Sequence, residues 1–326
     1  MKIITDINEL EYSDWRSFVF EHPEGNIFQT PEMYDLYDRT ENHRPVLVAM
    51  LDSSGKMAGV LSGVVVSVSP LFGKWSARSI VTGGPLLDSN SLDRADMLLS
   101  AYEREVEGDV LFSQFRNIND LGRLDPFFSS VKYRREPHLD YRIDLTMSES
   151  ELWDNLSSSC HNKISKSERE MLEIRTFLSD AEIRVAYDML VEVYGRVKHP
   201  LPPLSLFLNA RDILGDSVVY VGAFKENRMV AMRMLLVYKK VWYDWYAGSF
   251  RGQGQLSPNE ILTWNILRMA KNAGAELFDF GGAGRPDIPY GVRDYKRKFG
   301  GKEVDFGRFE RIYHPFLVRL AKWYVK

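Results

Sequence analysis

Two long stretches of the chain are rich in apolar and β-branched residues, and each is interrupted by a short polar turn. The first, PVLVAMLDSSGKMAGVLSGVVVS from residue 45, turns at DSSG, and the second, SVVYVGAFKENRMVAMRMLLVYK from residue 217, turns at EN. This pattern predicts a β-hairpin in each stretch. A further apolar segment follows each hairpin, at residues 76–88 and 240–251, and predicts a third strand in both places.

A helical pattern follows each of these β segments. SLDRADMLLSAYEREVEG, residues 91–108, and SPNEILTWNILRMAKNAG, residues 257–274, both begin with serine and end with glycine. Serine is typical of helix starts and glycine of helix stops. In the second helix we predict Ser257 as the N-cap and Glu260 as its partner in a capping box.

The same order of elements in both halves predicts an internal duplication. Short strands follow the two helices, at residues 109–115 and 275–282, and the spacing of corresponding elements differs only by a short loop deletion. Chance repetition of this common pattern is the alternative interpretation. The predicted fold class is α/β (α+β), with two tandem domains that each contain a mixed, mostly antiparallel sheet flanked by helices. This arrangement resembles acyltransferases of the GNAT type.

The two halves are predicted to join where YRIDLTMSESELW passes from a strand to a helix whose capping box is Ser148 and Glu151. We therefore predict an N-terminal domain over residues 1–145 and a C-terminal domain over 146–308. Residues 309–326 include HPFLVRLAKWYVK, which has the pattern of a short amphipathic, basic helix. We expect this helix to pack back on a domain, and contact with an anionic membrane is the alternative.

Composition excludes several classes of protein. The 326 residues are 44% hydrophobic, enough for a sizeable core, and the net charge of −3 argues against general coating of nucleic acid. The only cysteine is Cys160 and the six histidines show no metal-ligand spacing, so neither a disulfide framework nor a metal site is predicted. The N-terminus lacks an apolar leader, and no window reaches the roughly 18 apolar residues of a membrane span. We expect a cytoplasmic protein, with the inner face of the membrane as the place of any peripheral contact.

The stretch YGVRDYKRKFGG, residues 290–301, carries the most specific resemblance to a known family. Its pattern of Gly, three residues, aromatic, Lys, two residues and Phe-Gly resembles the C-terminal motif of the FemA/FemB/FemX peptidoglycan bridge aminoacyltransferases, and AELFDFGG precedes it as in that family. Weaker resemblances are FQT at 28–30, ELWDNLSSSCHNKISKSERE at 151–170 and VEVYGRV at 191–197. The coiled-coil insertion of FemA and FemB is absent, so the chain resembles the smaller FemX-like architecture.

The resemblance implies two GNAT-like domains and transfer of an aminoacyl group from aminoacyl-tRNA to an amine of a UDP-linked or lipid-linked cell-wall precursor, without a cofactor. It implies that Lys296 lies near the transferred ester and the tRNA end, with Tyr295 beside it. It also implies that Arg196 contacts the acceptor, and a guanidinium fork suits a phosphate or carboxylate. A surface salt bridge is the alternative for Arg196. Where the family commonly has a phosphate-binding lysine, this chain has Tyr37.

The segment around Lys296 is also strongly cationic. Residues 285–302 contain six Lys and Arg against two Asp, and glycines flank them on both sides. We predict that this strip grips the phosphates of a tRNA or another donor. The predicted donor-binding residues are Arg285, Arg293, Lys296, Arg297 and Lys298. Lys296 is predicted to be catalytic, because a positioned cation stabilises the negative charge that grows on a carbonyl oxygen during aminolysis. A solvated loop and helix face is the alternative.

Three further residues are candidates for the site. Side chains alternate across a strand, so Asp244 and Tyr246 are predicted to share one face of the segment YDWY. If that face lines the cleft, Asp244 could accept or orient the attacking amine and Tyr246 could position substrate, and a core role is the alternative for both. Asp279 precedes the Gly281–Gly282 bend, where an Asx-turn and a role in the cleft are both open.

Two other functions stay open at this stage. RGQGQL, residues 251–256, occupies the place of a GNAT pyrophosphate loop, which would suit an acyl-CoA donor and an amino-sugar acceptor, although Leu256 departs from the small residue expected there. A non-catalytic module that binds a nucleotide sugar or a partner protein is the third hypothesis. The choice between monomer and dimer is also open.

Overall fold

The structure is a computed structural model that describes residues 1–67, 76–88, 91–250 and 257–318. The chain divides into two units. The first contains Met1–Pro137 together with the C-terminal segment from Phe306, and the second contains His138–Asp305. Short 3₁₀ turns lie at Ile7–Glu9, Ile27–Gln29, Gly122–Leu124 and Gly215–Ser217.

The first unit is built on one mixed sheet with helices packed against it. Its strands are β1 (Lys2–Ile4), β2 (His43–Leu51), β3 (Met57–Val66), β4 (Arg78–Thr82), β5 (Leu86–Leu87), β6 (Phe112–Arg116), β7 (Arg134–Glu136) and, from the C-terminal segment, β15 (Arg308–Ile312). Its helices are α1 (Tyr12–Glu21), α2 (Pro31–Asp38), α3 (Leu92–Val106) and α4 (Asp125–Ser130). The strand order is β1-β2-β3-β4-β6-β15-β7, and only the β4–β6 pair in this path is parallel.

The second unit repeats this plan. Its strands are β8 (Leu139–Asp144), β9 (Glu173–Thr176), β10 (Val218–Lys225), β11 (Arg228–Tyr238), β12 (Val241–Ser249), β13 (Leu277–Gly282) and β14 (Lys302–Asp305). Its helices are α5 (Glu149–Asp154), α6 (Ser158–Arg169), α7 (Asp180–Val197), α8 (Leu204–Leu214), α9 (Pro258–Asn272) and α10 (Gly291–Arg297). The order β9-β10-β11-β12-β13-β8-β14 again has one parallel pair, β12–β13. The predicted fold class is therefore confirmed, and the predicted order of elements recurs in both units.

Each sheet has its own apolar core. In the first unit, α3 packs against β2 and β3, and Leu98 and Phe115 are completely buried there. In the second unit, α9 packs against β10 and β11, and Leu235 and Leu262 are completely buried. The central strands β3 and β11 are buried along almost their whole length, because helices cover the sheet.

The boundary between the units differs from the predicted one. The chain changes unit after Pro137, not after residue 145, because β8 pairs with β13 and β14 of the second sheet. It changes back after Asp305, because β15 pairs with β6 and β7 of the first sheet. The beginning of the predicted 309–326 helix is therefore strand, and a helical segment starts only at residue 315; residues 319–326 lie outside the described residues.

The two predicted capping boxes have different outcomes. At the start of α5, the Ser148 side chain accepts from the backbone N–H of Glu151 while the Glu151 side chain accepts from the backbone of Ser148, so this box is confirmed. At the start of α9, Ser257 makes no side-chain capping bond, so the second box is wrong. Glu260 is buried and instead accepts from Lys163 Nζ at 2.6 Å. A tertiary ion pair has replaced the local cap.

Candidate active site

A cleft opens in the second sheet where β12 and β13 separate. Their parallel pairing extends from Val241–Leu277 to Tyr243–Asp279, and no later residues of the two strands pair with each other. In the first unit the corresponding strands, β4 and β6, stay paired over the whole of β4, as far as Thr82–Arg116. The second unit therefore offers an unpaired edge of β12 to a ligand, whereas the first closes the corresponding edge.

Irregularities on both strands accompany this separation. On β12, the register against β11 shifts at Trp245, so that this residue is the extra one of a β-bulge. On β13, the register against β8 shifts between Asp279 and Gly282, and Gly281 has a φ of +68°. Such a φ favours glycine because a side chain would crowd the backbone. The sequence FDFGG thus bends β13 away from β12.

A cavity of about 500 Å³ occupies the cleft. The unpaired edge of β12, the bend of β13, the C-terminal part of α7 and the first turns of α9 and α10 supply its walls. Its lining includes Tyr194, Arg196 and His199, then Arg233, Asp244, Trp245 and Asn259, and finally Phe280, Gly281, Tyr290, Tyr295 and Lys296. The cavity therefore combines aromatic walls with buried charged groups, as ligand sites commonly do.

Lys296, the predicted catalytic residue, lines this cavity and is only 7% exposed. Its Nζ donates to three successive carbonyl oxygens of the β13 bend: Phe280 at 2.5 Å, Gly281 at 2.8 Å and Gly282 at 2.9 Å. Burial lowers the pKa of the ammonium, while Asp140 and Asp244 act in the opposite direction. Three N–H donors exist only on the protonated amine, so the geometry is that of a charged lysine. All three of its protons are engaged.

Asp244 forms a buried ion pair with an arginine that the sequence interpretation missed. Arg233 Nη1 donates to Asp244 Oδ2, and both side chains are about nine-tenths or more buried, with 6% and 5% exposed. Burial raises the pKa of the Asp244 carboxyl, and Arg233 and Lys296 oppose this rise. Burial acts to lower the pKa of Arg233, but Asp244 and Tyr295 hold it above its ordinary value. The pair forms a polar part of the cavity wall.

Tyr295 links this pair to α9. Arg233 Nη2 donates to the Tyr295 hydroxyl and to Thr263 Oγ1, both at 3.0 Å. The Tyr295 hydroxyl also lies 2.8 Å from Thr263 Oγ1 and donates to the Asn259 carbonyl oxygen at 3.0 Å. Tyr295 thus connects α10 with α9 and β11 through the hydrogen bonds of its phenol.

Asp279 lies behind the bend rather than in the cavity lining. Its Oδ1 accepts from the Gly281 backbone N–H at 2.8 Å, which is the Asx-turn that the sequence left open. Its Oδ2 accepts from Arg142 Nε at 3.1 Å, and the side chain is 2% exposed. Nearby Asp140 is also buried, and burial together with Asp279 raises its carboxyl pKa well above the ordinary value. These groups shape the bend.

Tyr246 and Tyr37 do not line the cavity. The bulge at Trp245 breaks the expected alternation, so Asp244 and Trp245 line the cavity, whereas the Tyr246 ring packs 5.0 Å from that of Phe207. The predicted shared face of Asp244 and Tyr246 is therefore wrong. Tyr37 lies in α2 of the first unit, where its ring stacks on His43 at 6.0 Å and burial raises the pKa of its phenol.

The charged residues of the cationic strip, residues 285–302, make different kinds of contact. Arg293 is buried and clamps its own loop, donating to the carbonyl oxygens of Arg285 at 2.6 Å and Ile288 at 2.5 Å. Arg285 forms an exposed ion pair with Asp287. Arg297 has 61% of its side chain exposed, at 3.6 Å from Glu303. Lys298 is half-buried, and its carbonyl oxygen accepts a hydrogen bond from the backbone N–H of Ser157, the residue that precedes α6.

Arg196 lines the cavity from the end of α7. Its Nη1 donates to Glu192 Oε1 at 2.8 Å, one helical turn away, and 28% of its side chain is exposed. Arg196 therefore lines the cavity and also forms the surface ion pair that was the alternative interpretation. Exposed i,i+4 pairs contribute little to stability, about 0.3–0.5 kcal/mol, so a ligand anion can compete for this guanidinium.

Arg233 and Tyr194 are site residues that sequence reasoning missed. Arg233 stands in the otherwise apolar stretch MVAMRMLLVY of β11, and a lone charge in a buried strand indicates a buried partner. That signal could have identified it. Tyr194 carries no such signal, because a tyrosine on an amphipathic helix is equally typical of packing.

Comparisons with known proteins bear on the fold that holds this cavity. Residues 158–297, which lie in the second unit, match the family model for the acetyltransferase (GNAT) domain. The crystal structure of FemX superposes with a TM-score of 0.70 at 12% identity, covering 100% of both chains. The predicted resemblance to the FemX architecture is therefore confirmed at the level of the fold.

Two further solved structures share the tandem arrangement. L-PGS from Bacillus licheniformis has a TM-score of 0.60 at 12% identity, with 97% of this chain and 96% of that chain covered. A tandem GNAT protein from the clavulanic acid biosynthesis pathway, solved without AcCoA, has a TM-score of 0.62 at 11% identity, with coverage of 96% and 99%. A search of curated proteins found no match.

No helix in the described ranges is both long and apolar enough to cross a membrane, and no group of His, Cys, Asp and Glu in those ranges could hold a metal ion.

Proposed function

We propose that the protein transfers an aminoacyl group from aminoacyl-tRNA to an amine of a cell-envelope precursor, in the cavity of the second unit. The neutral acceptor amine attacks the ester carbonyl carbon, a C–N bond forms, and the C–O bond to the tRNA ribose breaks. The amine loses one proton and the ribose oxygen gains one. The observation that carries the proposal is the open edge of β12 beside the buried Arg233–Asp244 pair and the Lys296 ammonium.

The site residues supply electrostatics and shape for this reaction. Lys296 donates its three hydrogen bonds to the β13 bend, so it acts on the reaction through the position of that bend. The pairing of β12 with β13 ends at Tyr243, and a backbone N–H on the edge beyond it would donate to a developing oxyanion. Loss of one such donor costs about 3–4 kcal/mol in barrier height in known acyl-transfer enzymes.

Two observations support tRNA as the carrier. Arg297 extends from α10 with most of its side chain exposed, and Lys298 follows it. An exposed arginine followed by a half-buried lysine, directly after cavity residue Lys296, suits the phosphates of an RNA end. In addition, the structures of similar fold include the C-terminal domain of a putative lysylphosphatidylglycerol synthetase and FemX, which belongs to the aminoacyltransferases that this sequence resembles. These similarities make a cell-wall or lipid precursor the proposed acceptor.

An acyl-CoA donor is the second candidate. It is supported by the match to the acetyltransferase (GNAT) domain model and by the similar fold of the tandem GNAT protein, whose structure is described as the form without AcCoA. The unpaired edge of β12 could also hydrogen-bond the amides of an extended pantetheine arm. The loop RGQGQL, which would meet a pyrophosphate, lies outside the described residues.

The test compares donors on the same protein preparation. Purified protein is incubated with a pool of tRNAs charged with radioactive amino acids, or with radioactive acetyl-CoA, and with small amine acceptors and UDP-linked and lipid-linked cell-wall precursors. We expect acceptor-dependent release of aminoacyl groups from tRNA and none from acetyl-CoA. Transfer from acetyl-CoA alone establishes the second candidate. No transfer and no binding of either donor establishes the non-catalytic hypothesis.

A charge variant separates tRNA binding from folding. Arg297→Glu is expected to weaken binding of charged tRNA and to reduce its dependence on salt, because fewer phosphate contacts release fewer counterions. The matched control is Arg228→Glu, an exposed arginine at the first position of β11. Equal loss of binding in both variants would show a general charge effect rather than a site on α10.

A further inference from the structure

The buried ion pair in the cavity wall has one unused hydrogen-bonding atom on each partner. Asp244 Oδ1 and Arg233 Nε are both buried and have no hydrogen-bond partner in the described part of the chain. The two side chains line the cavity, and each is at least nine-tenths buried. Unpaired polar atoms in such surroundings are costly, at about 1–3 kcal/mol each, so a ligand group that reached them from the cavity would be stabilised.

The other polar atoms of the pair are already engaged. Asp244 Oδ2 accepts from Arg233 Nη1, and Arg233 Nη2 donates to Thr263 and Tyr295. What remains is one acceptor on a carboxylate and one donor on a guanidinium. A ligand that satisfies both atoms must therefore carry a donor and an acceptor close together.

An aminoacyl group has this combination, and an acetyl group does not. Its α-ammonium supplies the donor, and its carbonyl oxygen, attached to the adjacent carbon, supplies the acceptor. An acetyl group offers the carbonyl oxygen alone and would leave Asp244 Oδ1 unpaired. Rejection of a ligand that leaves a buried polar group unpaired is stronger than rejection by shape in an apolar pocket.

The surroundings are also compatible with a cation. Tyr194, Trp245 and Tyr290 line the same cavity, and aromatic rings attract ammonium groups. The Lys296 ammonium, which would repel a second cation, is directed to the carbonyl oxygens of the β13 bend. The negative potential of those carbonyls offsets its charge.

We propose that Asp244 Oδ1 binds the α-ammonium of the transferred aminoacyl group while Arg233 Nε binds the neighbouring carbonyl oxygen, so that the cavity selects donors with a free α-amine. This inference rests on the proposed function and names the chemical class of its donor. The acceptor substrate also carries an amine, and the test is arranged to distinguish these two sources of an ammonium group.

The test uses three small probes and the full chain, with binding followed by ligand-detected NMR titration. Alaninamide carries an ammonium next to a carbonyl, N-acetylalaninamide lacks the ammonium, and propylamine lacks the carbonyl. We expect alaninamide to bind about tenfold to hundredfold more tightly than either of the others, the range of one charge-assisted hydrogen bond. Equal binding of alaninamide and propylamine would assign the subsite to the acceptor amine and overturn the proposal, as would equal binding of alaninamide and N-acetylalaninamide.

A pair of variants locates the subsite. Asp244→Asn keeps the shape of the side chain and is expected to weaken alaninamide binding at least about tenfold, without strengthening N-acetylalaninamide. Glu192→Gln is the control, because Glu192 is an exposed carboxylate paired with cavity residue Arg196. Wild-type binding by Asp244→Asn, with its folding verified by thermal unfolding, would overturn the proposal.

A pH titration of the wild-type protein keeps the proposal testable if Asp244→Asn does not fold. Free α-amines have pKa values of about 7.7–8.0, so alaninamide binding is expected to weaken as pH rises through that range. Constant affinity across the range would contradict a bound ammonium. The titratable and charged groups that face Asp244 or line the cavity with it are Arg233, Tyr194, Arg196, His199, Asp279, Tyr290, Tyr295 and Lys296.

The two proposals fail in distinguishable ways. Selective binding of alaninamide without any transfer from charged tRNA would retain the subsite and remove the tRNA carrier. Transfer from charged tRNA with no preference for alaninamide would retain the function and remove the subsite.

Discussion

The Lys296 ammonium donates a hydrogen bond of 2.8 Å to the carbonyl oxygen of Gly281, whose φ of +68° turns that carbonyl toward it together with those of Phe280 and Gly282. Three convergent carbonyl oxygens repel one another unless a cation lies between them. The lysine of the YKRKFGG motif therefore holds the bend that separates β13 from β12, and the separation is what makes room for a ligand.

Replacing Lys296 by methionine should lower stability as well as activity. The substitution leaves three carbonyl oxygens without their donor, and we expect a loss of roughly 2–5 kcal/mol in the free energy of unfolding. Urea denaturation measures it. Lys298→Met, on the same segment, is the control and should change stability by less than about 0.5 kcal/mol. Wild-type stability of Lys296→Met combined with loss of transfer would mean that the lysine acts on substrate directly.

Breaking the Arg233–Asp244 pair from one side should cost more than removing it from both. Asp244→Ala leaves a buried, uncompensated guanidinium, and we expect a loss of about 3–5 kcal/mol in unfolding free energy. The double variant Arg233→Met/Asp244→Ala should lose less than the sum of the single variants. A double-mutant cycle by chemical denaturation gives the coupling. Additive losses would show that the two charges do not depend on each other.

Gly281→Ala should distort the bend without a steric clash. A β-carbon at this position would have only the Asp244 carbonyl oxygen near it, at 3.7 Å, so the cost is conformational, about 1–2 kcal/mol. We expect that loss in thermal unfolding together with a fall in donor binding. Gly291→Ala, at the first position of α10 with nothing within 4 Å of the added carbon, should not lower stability. Equal behaviour of the two variants would argue against the bend as the sensitive element.

The N-terminus of α7 should weaken in acid. The Ser179 hydroxyl and Arg175 donate to the Glu182 carboxylate and hold its pKa below the ordinary value of 4.5. A depressed folded-state pKa contributes stability above 4.5, and this contribution is lost as pH falls through the folded value. We therefore expect Glu182→Gln to destabilise the protein at neutral pH and to differ less from wild type at about pH 3. Glu168→Gln, an exposed site on α6, is the control. A pH-independent difference would place the effect elsewhere.

Cys160 should resist thiol reagents in the folded protein. Its side chain is completely buried, and burial raises the pKa of the thiol to about 11, with Glu260 acting in the same direction. Because the thiolate is the reactive form, reaction with an aromatic disulfide should be slow in native buffer and fast in urea. Rapid, stoichiometric reaction without denaturant would show that the α6–α9 contact opens readily.

Local sequence patterns predicted most of the helices and strands, and one turn next to the cavity. Both hairpins, the helices after them and the Ser148–Glu151 capping box follow from periodicity and short-range spacing, and the Asx-turn at Asp279 was one of two predicted outcomes. These features depend on hydrogen bonds between residues close in sequence, which composition and spacing report directly.

Tertiary structure decided which side chains share the cavity. The bulge at Trp245 reversed the predicted face of Tyr246, and Arg233 met Asp244 only because β11 and β12 pair in that register. Strand pairing also set the boundary between the units, because β8 pairs within the second sheet and β15 within the first. Such pairings join residues distant in sequence, and their register depends on the packing of the whole sheet rather than on any local pattern. The motif identified Lys296 as a residue of the site, but only the folded chain showed that its three protons are directed to the backbone of β13.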